Sequence, residues 1–367
     1  MGPCSRRTRE RNRLLKLPEN YQDARAAFLD AAANAEATIS SHAHADLGPD
    51  GGSLATDVAV LGRPDAPHRM LVISGTHGVE GFAGSLCQTA WLRAGVALPD
   101  DVAVVVVHAI NPYGFAWVRR VNEDNVDLNR NCIDFDASLP NNTGYDELAD
   151  ALVPEHWDDA VRQTTAEQLL EFAARNGFDG LQAAVSAGQY AHPGGIFFGG
   201  QQPVWSRRTL EGIVRTHLAD AHRVAIIDLH TGLGEFGEGE LIASHPDAAG
   251  KARLSDCFDD YRIPSEGTSV SADVQGDVLD GMESWLPGVG VAGVAIEWGT
   301  VDIVAVSDAL RADAWLHRYS DPTGPAAPAI KEQMRAAFAP DDPAWADRVL
   351  ERFTSVRDRA LAGLVGS

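Results

Sequence analysis

The stretch Met70-Leu71-Val72-Ile73-Ser74-Gly75-Thr76-His77-Gly78-Val79-Glu80 decides how this chain reads. The apolar run Met70 to Ile73 reads as a buried strand, and Gly75 and Gly78 punctuate the turn after it. His77 and Glu80 then fall beyond the carboxyl end of a strand, where α/β sheets place their chemistry. A neutral imidazole and a carboxylate are two of the three protein donors in a His2Glu zinc site. Alone the pair is a weak signal, because a helix N-terminus with an acid in its first turn gives the same letters.

Three further segments sharpen it. In Val224-Ala225-Ile226-Ile227-Asp228-Leu229-His230-Thr231-Gly232 another apolar run ends in a histidine. A lone histidine at a strand end is usually a hydrogen-bonded structural residue. Beside His77 and Glu80, His230 is the natural third donor. In Val294-Ala295-Ile296-Glu297-Trp298-Gly299 a carboxylate lies inside an apolar run, which is costly unless it is paired or near a cation. An ion pair with an arginine would explain Glu297, and so would a general base acting on water.

The third segment follows the strand-like run Val102 to His108. It holds Asn111-Pro112-Tyr113-Gly114, then Arg119-Arg120-Val121-Asn122, then Asn125-Val126-Asp127-Leu128-Asn129-Arg130-Asn131. Asn129 and Arg130 offer an amide and a planar fork side by side, which suits a carboxylate. Arg120 suits an oxygen that becomes negative during reaction. Asx turns account for the asparagines of this loop but not for its arginines.

With these residues the chain resembles the zinc carboxypeptidase family, including its bacterial and succinylglutamate desuccinylase/aspartoacylase-like branches. The matching pieces are His77-Gly-Val-Glu80, Asn111-Pro-x-Gly, Arg120 ahead of Val126-Asp127-Leu128-Asn129-Arg130-Asn131, His230 and Glu297. They occur in the family's order over roughly residues 55 to 300. The resemblance implies one Zn2+ per chain held by His77, Glu80 and His230, with Glu297 as the catalytic carboxylate. Arg120 would stand on the oxyanion side, and Asn129 with Arg130 would clamp a substrate's terminal carboxylate. Asp127 would orient the first zinc histidine.

The function implied is a zinc-dependent metallocarboxypeptidase-type hydrolase that cleaves an amide next to a free carboxylate in a peptide or peptide-like substrate. An N-acyl amino acid deacylase sharing the zinc site is the alternative, and a non-catalytic metal-binding module is a third reading. Two departures from the family pattern stand out. The interval from Arg130 to His230 is longer than in compact carboxypeptidases, with a helical stretch around residues 155–176 and a Gly-rich segment, 189–200. The family's site-capping tyrosine has no clear counterpart; Tyr261 is the only tyrosine between His230 and Glu297, and Tyr190 is a substitute from the insertion.

Alternating strand-like runs and helical segments predict an α/β fold, a mixed, mostly parallel twisted sheet with helices on both faces. Helices are expected over 302–319, 329–338 and 343–363, where apolar residues recur at helical spacing. The 367 residues contain no linker or repeat, so residues 18–367 read as one catalytic domain with an insertion around 134–200, after a flexible basic tail over 1–17. A formal net charge of −22 argues against a nucleic-acid partner.

No run approaches the ~18 apolar residues of a membrane span, and the Arg-Arg pair near the start has no apolar segment after it. The four cysteines, Cys4, Cys87, Cys132 and Cys257, form no CxxC pair. A reduced cytoplasmic protein with Cys87 and Cys257 as core thiols is expected. One rival metal element is Ser41-His42-Ala43-His44-Ala45-Asp46, which resembles the His-x-His of amidohydrolases and metallo-β-lactamases. It follows an Ala-rich helical segment, 24–38, and precedes Gly48-Pro49-Asp50-Gly51-Gly52, a context that reads as a surface loop.

Overall fold

The structure, a computed structural model, describes residues 16–244 and 246–366, so most of the predicted basic tail lies outside the described residues. Among the described residues eight strands form one sheet in the order β1-β2-β4-β3-β5-β8-β6-β7. They are β1 (Thr38–Leu47), β2 (Ser53–Leu61), β3 (His68–Ser74), β4 (Val102–His108), β5 (Arg223–Phe236), β6 (Gly239–Ile242), β7 (Tyr261–Arg262) and β8 (Gly290–Gly299). The centre, β4-β3-β5-β8, is parallel. Antiparallel pairs, β1 with β2, β2 with β4 and β6 with β8, make the margins.

The Val-rich β4 is buried along its whole length, as parallel strands with both faces covered must be. Its side chains alternate between two cores. Val104 and Val106 join Met70, Val72, Ala225, Ile227 and the helices α1 (Tyr21–Asn34), α2 (Gly81–Ala94) and α11 (Pro343–Val365). Val105 and Val107 join Leu71, Ile73, Ile226 and the helices α6 (Trp205–Leu218) and α8 (Val278–Ser284) on the other face. The remaining helices are α3 (Pro112–Ala116), α4 (Thr143–Leu152), α5 (Asp159–Ser186), α7 (Ala248–Cys257), α9 (Ile303–Tyr319) and α10 (Ala327–Phe338). The fold is the predicted mixed α/β sheet with helices on both faces. The three helices expected after Glu297 are present, and Cys87 and Cys257 are buried.

Two expectations need correction. Residues 41–46 are not a loop but part of β1, an edge strand paired only with β2, from Thr38↔Val60 to Leu47↔Ser53. The strand is exposed on both faces apart from half-buried His42 and His44, so no apolar alternation marks it in the sequence. The insertion helix also runs further than residue 176. It starts after Asp158, whose carboxylate caps the N–H groups of Ala160 and Val161, breaks at Gly177 (φ 78°) and resumes to Ser186. No helix among the described residues is long and apolar enough to cross a membrane.

Candidate metal centre

The turn after β3 is built on a close backbone approach. A Cβ on Gly78 would collide with the backbone of Gly114 and Phe115, at the start of the short α3. Gly78 N–H donates to the Arg120 carbonyl at 3.1 Å and Val79 N–H to that of Arg119 at 2.7 Å. The Asn111 side chain caps α3 through Gly114 N–H at 2.8 Å. His77 and Glu80 thus stand on a turn fixed from the Asn111–Arg120 side. Gly78→Ala is expected to destabilise the fold by about 1–3 kcal/mol, the usual cost of forcing extra volume into a packed site. Chemical denaturation measures it; an unchanged midpoint would show that the two segments yield.

His230 lies on β5 opposite Glu297 on β8, in a parallel register that turns both side chains to one face. The side chains of His77, Glu80 and His230 meet in a buried cluster. His77 Nδ1 is 2.9 Å from Glu80 Oε1, His230 Nδ1 is 2.9 Å from Glu80 Oε2, and the two Nδ1 atoms are 3.2 Å apart. Thr231 N–H donates to Glu80 Oε2 at 3.1 Å. Zinc bonds of 2.0–2.1 Å at tetrahedral angles separate two ligand atoms by about 3.3 Å, so these donors suit one ion.

The other ring nitrogens meet acids. His77 Nε2 is 3.1 Å from Asp127 Oδ1. His230 Nε2 is 2.9 Å from Asp228 Oδ2, although out of line for a hydrogen bond. Asp228 is fixed in turn by Thr76 Oγ1, 2.9 Å from both carboxylate oxygens. An acid behind each imidazole is the arrangement that orients a ligating histidine.

Electrostatics fit the same use. Burial disfavours charge on Glu80, but His77 and His230 outweigh it and hold the carboxyl well below its ordinary range. Burial opposes charge on His230 as well, yet Asp228 and Glu80 raise its pKa well above the usual imidazole value. The buried donors therefore share a demand for positive charge that a proton or a divalent cation can meet. Glu297 stays outside the three-donor group. It is half-buried and accepts from Leu233 N–H at 2.8 Å. Burial and the nearby Glu80 charge push its pKa up to about 7. A cation at the cluster would draw it down again.

Arg120 reaches the cluster: its Nε donates to Asp127 Oδ2 at 2.9 Å and its Nη1 lies 3.3 Å from Glu80 Oε1. Arg130 is buried behind it, with Nη1 3.5 Å from the same Asp127 oxygen and Nη2 donating to the Ser186 carbonyl of the insertion. The Asn129 amide oxygen accepts from Val278 N–H at 3.3 Å. Both members of the expected carboxylate clamp thus have protein partners. Tyr190 is not free to cap the site, because it is buried and its hydroxyl donates to the Arg130 carbonyl at 2.6 Å. Tyr261 lies in β7, at the far margin of the sheet. His44 meets Glu123 (Nε2 to Oε2, 3.3 Å) and stays on the edge strand.

Sequence reading missed Asp228, Thr231 and Phe197. Asp228 had a usable signal, since two residues apart on a strand puts it on the face of His230. Thr231 acts through its backbone, which no side-chain pattern reveals.

The sequence matches the family described as "Protein of unknown function (DUF2817)" over residues 18–352, and the chain belongs to that family. No curated protein matches it. In structure the chain is similar to carboxypeptidase A from Helicoverpa armigera, at 13% identity and a TM-score of 0.44, over 88% of this chain and 74% of that one. It is also similar to an aspartoacylase family protein from Mesorhizobium loti, at 16% identity and a TM-score of 0.35, over 72% of this chain and 61% of that one. A succinylglutamate desuccinylase/aspartoacylase from Rhodobacter sphaeroides gives 15% identity and a TM-score of 0.36, over 76% and 65%. The chain spans less than two thirds of these last two proteins.

Proposed function

We propose that the chain is a zinc-dependent hydrolase of the metallocarboxypeptidase type, with one Zn2+ per chain, cleaving an amide next to a free carboxylate in a peptide or peptide-like substrate. The observation that carries this reading is the convergence of His77 Nδ1, His230 Nδ1 and the Glu80 carboxylate, with Glu297 opposite His230 in register. When bound, a divalent ion supplies Lewis acidity and lowers the pKa of water at an open position. Glu297 takes the proton of the attacking water and later passes it to the leaving amine. Arg120, next to Glu80, turns its positive charge to the oxygen that becomes negative. Asn129 and Arg130 orient the substrate through a carboxylate that does not react.

Because Arg130 already shares Asp127, a substrate carboxylate competes for it with a protein carboxylate. Removing one partner of a desolvated charge pair costs about 2–5 kcal/mol, so Arg130→Ala is expected to lower kcat/KM by roughly 30- to 5,000-fold. The loss falls on substrates with a free carboxylate, and amidated analogues hardly change. Steady-state kinetics on both forms decide it. Equal losses would assign Arg130 to the scaffold, as its bond to Ser186 would also allow.

The second reading is an N-acyl amino acid deacylase on the same centre. The observation favouring it is the insertion residue Phe197 packed over Arg120 and Arg130, an insertion side chain set beside the residues that would hold the substrate. A mass-spectrometric screen of the zinc-loaded protein separates the two. Free amino acids released from blocked dipeptides support the peptidase, and release from N-acyl amino acids alone supports the deacylase. A zinc-loaded protein that turns over neither is the binding module, and the hydrolase reading fails. The charge of −22 favours no nucleic-acid partner in any of these readings.

A further inference from the structure

Phe197 sits in the Gly-rich segment of the insertion, far in sequence from every residue assigned to the centre. Its ring nevertheless lies 5.2 Å from the Arg120 guanidinium carbon and 5.2 Å from that of Arg130. Both guanidiniums approach one acceptor, Asp127 Oδ2, at 2.9 and 3.5 Å. Two cations therefore share one carboxylate beneath one aromatic ring. Phe197 is half-buried.

The backbone there is unusual. Phe197 has φ 55°, a left-handed conformation that bulky side chains rarely adopt and that persists only where the surroundings impose it. Those surroundings are visible. The Phe197 carbonyl accepts from Gln189 N–H at 3.2 Å, and the Phe198 carbonyl accepts from Asp127 N–H at 2.8 Å. The Asn125 amide donates to the carbonyls of Pro193 and Gly195 at 3.0 and 2.8 Å. The insertion is thus stapled to the loop that carries Asp127 and Arg130, and the staple presents the phenyl ring to both arginines.

We propose that Phe197 is a specificity-determining residue: its ring fixes the Arg120–Arg130 pair and shields it from water, so that the pair selects ligands bearing a free carboxylate beside an amide. The proposal rests on the reading that Arg130 faces the substrate's free carboxylate and Arg120 the reacting amide beside it. A ring over a guanidinium attracts the cation through its π-face and removes the water that would otherwise weaken a carboxylate's hold. An aliphatic residue of similar bulk shields but does not attract.

The experiment is a calorimetric titration of the full-length zinc-loaded Glu297→Gln protein, which is expected to hold ligands with little turnover, using a panel of N-acetyl amino acids and their carboxamides. At least one free acid is expected to bind about ten-fold or more tightly than its carboxamide. Adding Phe197→Leu should cut that preference by about ten-fold, while Phe197→Tyr, which keeps the ring, retains it. Zinc content and unfolding midpoint report whether the effect is structural. If Phe197→Leu fails to fold, Phe197→Gly, which suits the left-handed backbone, takes its place.

Full preference in a folded, zinc-loaded Leu or Gly variant overturns the proposal. So does loss of zinc or fold in both variants, which would make Phe197 a structural residue, and so does a parent that never prefers acid over amide. Hydrolysis is scored apart, on the native zinc-loaded protein, so failure of the hydrolase reading is told from failure of this one.

Discussion

Replacing His77 by alanine is expected to reduce bound zinc from about one per chain to a small residue, while His42→Ala leaves it unchanged. His77 is the hub of the cluster. It approaches Glu80, His230 and Asp127 at 2.9, 3.2 and 3.1 Å, and it is buried. Its loss removes one of three donors and leaves Glu80 Oε1 and Asp127 Oδ1 without that partner. Breaking a buried pair commonly costs about 3–5 kcal/mol, so the variant should also unfold at lower denaturant. His42, on the exposed edge strand, carries none of these contacts. Metal analysis of purified protein before and after chelation decides the point. Zinc lost from His42→Ala but kept by His77→Ala would move the site to β1.

The second large effect separates holding the metal from using it. Glu297→Gln should keep zinc, because Glu297 is not among the converging donors and the amide oxygen can still accept from Leu233 N–H. Turnover should fall by at least ~10²-fold, the lower range for loss of a general acid/base. The pH dependence of the zinc-free protein gives an independent reading. A carboxyl raised from 4.5 to about 7 binds a proton more tightly when folded. Its contribution to stability is therefore present at low pH and lost as pH rises through that window. Glu297→Gln should flatten the slope of stability between those pH values. Zinc loss in this variant would make Glu297 a ligand.

The parts of this fold that were legible in the sequence share one physical property. β3, β4 and the first part of β5 are buried on both faces, and β8 is buried on one face and half-buried on the other, so they read as largely apolar runs, and His77, His230 and Glu297 stood out at or near their ends. The margins lacked that mark. β1 is an exposed edge, and β2 carries Asp57 in mid-strand, buried against Arg25 at 2.7 Å, which breaks the apolar pattern. Asp127 was expected as the acid behind His77, and it lies 3.1 Å from His77 Nε2. The engagement of Arg130 by Ser186, and the ring of Phe197 over two arginines, depend on how the insertion folds back over more than fifty residues. No local pattern encodes that return, and so the surroundings of Arg130 were the least legible part.

The most direct measurement is zinc-dependent release of free amino acid, read by mass spectrometry from blocked dipeptides and N-acyl amino acids. The same protein is assayed in three states: as zinc-loaded, after removal of the metal by a chelator, and after restoration of one zinc per chain. Release in the first state, its loss in the second and its return in the third is the predicted result. Release that persists in metal-free protein, or none from any substrate by protein holding one zinc per chain, would contradict it.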